Sequence, residues 1–198
     1  RLAEDQPDKA HQVLDQALDG WQHQGFLLQH MDGLANRCNI LLHQGRDAEA
    51  LAALERKWRP LAKSYLMDAE AVRVTVREVQ VRVLLATGQD RKASRCARTL
   101  AREHCDYGQA LAMKNLAVLA GRAGRRGEAA EQRFEAEMAL EACELHLHAQ
   151  SVRRVRGGLL GGKVGLDLLL QADAWMSSRG IQNSARMARM LVPGLDGG

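Results

Sequence analysis

The chain has 198 residues, 46% of them hydrophobic and 26% charged, with a formal net charge of +4. That balance excludes a disordered tail, and the length suffices for one domain or a short run of repeats that buries roughly 70% of its unfolded surface. Ala and Leu make up about three residues in ten, aromatics only 4%, and prolines number three; this favours helix and argues against a β-sandwich or barrel.

Taken in chain order, the predicted elements are all helical. Residues 7–24 form an amphipathic pattern opened by Pro7, with Ala10, Val13, Leu14, Ala17, Leu18 and Trp21 on its apolar side. Residues 26–44 and 47–63 predict a hairpin turning at Gly45. Residues 68–87, with Val72, Val76, Val79 and Val83 on one face, and 90–104 predict a second, turning at Gly88. Residues 107–123 and 127–145 predict a third around Gly124. The pattern then shortens to 146–156, 164–178 and 184–191, separated by Gly157-Gly158, Gly161-Gly162 and Gly180.

Glycine ends a helix because it accepts the left-handed conformation without steric cost. The markers Gly45, Gly88, Gly124 and Gly161 are spaced by 43, 36 and 37, and five residues after each stand Ala50, Ala93, Ala129 and Leu166. A small residue there lets antiparallel helices pack closely. The expectation is an all-α, irregular α-solenoid: residues 1–145 as helical hairpins and 146–198 as C-terminal capping helices of the same domain, because a terminal repeat needs its last apolar face covered.

The cationic excess is arginine, 22 Arg against 6 Lys. Cys38, Cys96, Cys105 and Cys143 lie far apart without a CxxC pair and read as thiols in a reducing compartment. The first twenty residues carry acids and no apolar signal region, and no stretch of 18 apolar residues exists, so the expected location is cytoplasmic. Opening on Arg1 without a methionine, the chain reads as a fragment or a processed product.

Residues 36–50 and 115–129 carry the same pattern: an Asn (Asn36, Asn115), a Gly nine residues later (Gly45, Gly124), then Glu49-Ala50 or Glu128-Ala129. Each resembles a tetratricopeptide repeat from mid first helix into the second; the Gly88 hairpin matches only in its Gly and Ala, and the spacing departs from the usual period of about 34. The tail, residues 157–194, with Gly157, Gly161, Ala172, Trp175, Gly180, Asn183, Arg186, Met187, Met190 and Pro193, looks like the ending of large, myxobacterial-type bacterial serine/threonine kinases that run kinase domain, ATPase-like module, then helical repeats. That resemblance implies a non-catalytic, regulatory protein–protein interaction region with the kinase and ATP-binding parts upstream. In such repeats the first helix of each hairpin lines a concave groove that holds a protein or peptide partner. Carried over, the groove residues are Asp32, Asn36, Asn39 and His43, then Glu78 and Arg82, then Lys114, Asn115 and Arg122. The domains of its own chain are the alternative partner.

No catalytic set, metal site or cofactor is predicted. Residues 157–164, GGLLGGKV, approach a phosphate-binding loop but lack the hydroxyl after the lysine and a preceding buried strand, so they read as a glycine-rich connection. Cys143 and His146, with His104 and Cys105, fall short of four clear zinc ligands. Arg91, Lys92, Arg95, Arg98 and Arg102 form a basic stripe, and Arg153, Arg154, Arg156 and Lys163 a second. Without interleaved aromatics these read as solvated or acid-paired faces, with Asp90, Glu103 and Asp106 near the first. A basic solenoid binding nucleic acid, and a structural spacer self-associating through the Trp175 region, stand as alternatives.

Overall fold

The computed structural model describes residues 1–21 and 27–193. Its described residues form ten α-helices and one 3₁₀ turn, with no strand: α1 Pro7–Asp19, α2 Leu28–Gln44, α3 Asp47–Ala62, the turn Tyr65–Asp68, α4 Glu70–Ala86, α5 Asp90–Leu100, α6 Asp106–Arg122, α7 Arg126–Ala142, α8 His146–Leu160, α9 Gly162–Ser178 and α10 Ser184–Leu191. The protein is all-α. The predicted start at Phe26 and the end at Gln24 lie outside the described residues.

Each glycine marker closes a helix pair. Gly45, Gly88 and Gly124 have φ of 76°, 70° and 78°, and the next residue's N–H reaches back to close the preceding helix: Arg46 N to Leu41 O at 2.9 Å and Gln89 N to Leu84 O at 2.9 Å. Across the turns, Ala50, Ala93 and Ala129 are fully buried, so α2 packs on α3, α4 on α5 and α6 on α7. The α8–α9 turn is tighter: Gly161 alone separates the helices, and α9 starts one residue after the glycine where the other second helices start two residues after theirs. The small contact residue therefore comes one position early. Gly165 is buried, and Leu166, expected to match Ala50, is exposed.

Gly157 and Gly158, expected to break the chain, lie inside α8. Gly157 is a contact residue: a Cβ on Gly165 would stand 2.3 Å from the Gly157 carbonyl oxygen. The glycine-rich run is thus a close crossing of α8 and α9, preceded by helix.

Successive pairs stack through α5 on α6 and α7 on α8, and the core is Val, Leu and Ala from α2 to α8, continued by Met176 and Ile181. The α3–α4 junction differs. The 3₁₀ turn lengthens it, and α3 and α5 do not pack side by side.

The last helix does not cap the stack. Gly180, at φ 77°, turns the chain back, and α10 packs on α8 and α2, burying Met187, Ala188, Met190 and Leu191. The outer face of α9 is left with Val164, Leu166 and Leu170 exposed. The N-terminal segment closes onto α10: Gln182 N donates to Ala3 O at 2.8 Å, and Asp5 accepts from Asn183 Nδ2 and Arg186 Nη1, both at 3.1 Å.

Candidate functional site

Where α10 ends, three fully charged side chains are buried together. Glu78 and Arg82 stand one turn apart on α4, and Lys114 reaches them from α6. The Glu78 carboxylate accepts from Arg82 Nε and from Lys114 Nζ, both at 2.6 Å. Arg82 also donates to Asn39 Oδ1 of α2 at 2.9 Å and to the Met190 carbonyl at 3.0 Å. Lys114 donates to the Leu191 carbonyl at 2.6 Å. The last carbonyls of a helix have no partner within it and carry the negative end of its dipole. Two cations and one anion thus leave one positive charge, and the end of α10 answers it.

Burial alone would raise the Glu78 carboxyl, but Arg82 and Lys114 outweigh it and hold it at about 2. Burial pushes Lys114 down to about 8, with Glu78 partly offsetting. His148 of α8 borders the cluster; burial, reinforced by Lys114, drives it to about 3, so its ring is neutral, and its Nδ1 has no hydrogen-bond partner.

Of the nine residues expected to line a groove, Asn39, Glu78, Arg82 and Lys114 come together here. His43 is buried near Asp5, with Nε2 3.7 Å from Oδ1, beyond hydrogen-bond reach; burial lowers its pKa. Asp32 and Asn36 are exposed on α2, where Asn36 Nδ2 donates to the Asp32 carbonyl at 3.0 Å. Asn115 is fully buried, with neither side-chain polar atom hydrogen-bonded among the described residues, so the two asparagines of the repeated pattern sit in different surroundings. Arg122 ties α6 to the preceding pair through Asp90 and the Leu85 carbonyl.

Residue spacing missed the contribution of α10, of His148, and of Asp5 with Arg186. The available signal was Met187, Ala188, Met190 and Leu191, spaced by three and four, the pattern of a helix with one buried face.

The two basic stripes differ. Arg153 and Arg156 both donate to buried Glu137, and Arg154 to Asp173, so every arginine of the second is acid-paired, though two of them share one carboxylate. The first runs along α5 and just past its end at Arg102, and all five of its cations are exposed. Asp90 is taken by Arg122, and Glu103 by Arg73 and Arg77. No member of that stripe pairs with an acid among the described residues, so of the two expected readings, solvated or acid-paired, the face is solvated. Among the described residues no three His, Cys, Asp or Glu side chains gather as a metal-binding group, and His146 hydrogen-bonds Glu141. Among the described residues no helix is long and apolar enough to cross a membrane.

Compared with known proteins, the chain matches no family model, no curated protein and no solved structure.

Proposed function

We propose that this chain is a tetratricopeptide-like solenoid acting as a non-catalytic protein–protein interaction region of a cytoplasmic bacterial signalling protein, of the serine/threonine kinase type its tail resembles. Its groove, formed by the first helices of the pairs, binds a helical segment of a partner in the place that α10 occupies. The observation carrying this reading is the grip of buried Arg82 and Lys114 on the Met190 and Leu191 carbonyls. Such a grip makes the groove chemically competent to hold a helix end. Four helix pairs in series, the glycine turns and the Asn–Gly–Glu–Ala pattern support the repeat assignment.

The test compares the full chain with one ending at Arg179, whose groove is open. The shortened chain, once its helix content is verified by circular dichroism, should bind a labelled peptide of residues 180–193, and Lys114→Met should weaken that binding. It should also capture from a bacterial lysate a stoichiometric partner that the full chain captures less well and that the peptide displaces. A folded shortened chain that ignores the peptide, or equal capture by both chains, refutes the groove.

A further inference from the structure

The long α3–α4 junction opens a second groove, away from α10, which packs on neither α3 nor α5. Its volume is about 600 Å³. Leu51 and Trp58 of α3, Met67 of the 3₁₀ turn and Leu84 of α4 give it an apolar lining, and Lys92 and Arg95 of α5 form one wall. Glu55 stands on the other wall. Both cations of the α5 wall are exposed and pair with no acid among the described residues, and Arg91 and Arg98 on the helix, with Arg102 just past its end, extend the positive field. An occupant of this groove has to be apolar at its centre and acidic on the α5 side.

The same chain carries such a surface. On α7, Glu131, Phe134, Glu135 and Met138 fall at steps of three and four, on one helix face. Phe134 and Met138 are 48% and 53% exposed, which is high for side chains of that size. Glu131 and Glu135 are exposed and pair with no cation among the described residues. Because α7 is held between α6 and α8, it cannot reach its own α3–α5 groove. A second copy can.

We infer that the chain associates with itself, the acidic, apolar α7 ridge of one copy entering the basic, apolar α3–α5 groove of another. Phe134 and Met138 fill the apolar lining while Glu131 and Glu135 meet Lys92 and Arg95. Apolar burial holds the contact, and the charges set its register and reject other partners. If two copies exchange ridges about a two-fold axis, both surfaces of each are used and the assembly closes as a dimer. A nucleic acid suits this groove poorly, because phosphates gain nothing from Leu51, Met67 and Leu84, and Trp58 offers one stacking surface only.

Sedimentation of the intact chain across a hundredfold dilution, at low and high salt, tests the inference. Self-association should be present, concentration-dependent and weakened by salt. Lys92→Glu with Arg95→Glu, and separately Glu131→Lys with Glu135→Lys, should each weaken it on the order of a hundredfold, because like charges then face each other. All four residues are exposed, so folding is retained, as circular dichroism checks. An equal mixture of the two variants should associate again, since each reversed groove meets a reversed ridge. A chain that stays monomeric, a mixture that does not recover, or association lost only in Leu166→Gln with Leu170→Gln on the α9 face overturns the assignment. So does a monomer that binds duplex or single-stranded nucleic acid through the α5 cations.

Discussion

Replacing Glu78 with Gln tests the buried cluster directly. Its carboxyl sits at about 2 against an ordinary 4.5, and that displacement corresponds to about 3 kcal/mol of folding stability. The group is depressed, so the contribution is complete above pH 4.5 and is lost as pH falls towards 2. Lys114 works in the opposite sense. Its amine is lowered from 10.5 to about 8, so between those values the unfolded chain binds more protons and stability rises with pH. Below pH 8, keeping Lys114 charged costs about 3 kcal/mol. Near neutrality the two cancel, as expected of a buried ion pair whose desolvation matches its attraction. In Glu78→Gln the favourable half is gone, and Arg82 faces Lys114 across a neutral amide. The loss should be about 3–5 kcal/mol, a large share of the 5–15 kcal/mol typical of a domain. Lys114 should then shed its proton at lower pH, so the alkaline gain in stability begins below pH 8. Urea unfolding from pH 5 to pH 10 measures both effects. A loss under about 1 kcal/mol, or an alkaline gain starting where the parent's does, would refute the cluster's energetics.

Three further substitutions probe other features. Arg133 is 1% exposed and its guanidinium nitrogens have no hydrogen-bond partner among the described residues, with burial lowering its pKa; Arg133→Met should raise the stability measured by urea unfolding by about 1–3 kcal/mol, and a lowered stability would show an overlooked role for the charge. Glu144 holds a left-handed φ of 59° in the turn before α8, where no glycine was available; Glu144→Gly should stabilise by about 1 kcal/mol in a thermal melt, and no gain would mean the strain is relieved elsewhere. Gly165→Ala puts its Cβ against the Gly157 backbone oxygen; overpacking of this kind costs about 1–3 kcal/mol, and an unchanged melting temperature would show that α8 and α9 slide apart freely.

Much of the helical architecture was legible because its punctuation is local. A glycine that ends a helix does so through its own φ, and Gly45, Gly88, Gly124 and Gly161 all hold positive values. The break before His146 was expected from the change of pattern, without a glycine to mark it: Glu144 carries out there the conformation that glycine signals elsewhere. Gly157 misled for the converse reason: its missing Cβ serves a neighbouring helix and leaves the α8 backbone regular. The site was only half legible. Helical spacing placed Glu78 and Arg82 on one face of α4, but the approach of α10 joins residues more than a hundred positions apart, which no local pattern encodes. Asn36 and Asn115 occupy equivalent positions in the repeated pattern, yet one is solvated and the other sealed inside, because burial depends on what the stack places over each.

If the groove binds a partner as proposed, the resident α10 restricts which partners can enter it. A tethered helix competes at an effective concentration in the millimolar range, and a partner's apparent affinity falls by the fraction of grooves that are open. Displacing α10 uncovers Arg82 and Lys114, whose donors then lose the Met190 and Leu191 carbonyls. Each buried donor left unpaired costs about 1–3 kcal/mol, so an apolar helix that covers the same surface without acceptors at its end forfeits most of what it gains. A helix ending in exposed carbonyls, or in a free carboxylate, replaces both bonds and adds charge to a cluster that carries one surplus positive charge. On the proposed function, specificity therefore resides at the C-terminal end of the incoming segment. Amidating the carboxylate of a competing peptide should weaken its binding to the chain ending at Arg179 by roughly tenfold, about 1.4 kcal/mol. Equal binding by the acid and the amide would place the selection in the apolar face formed by Met187, Met190 and Leu191 instead.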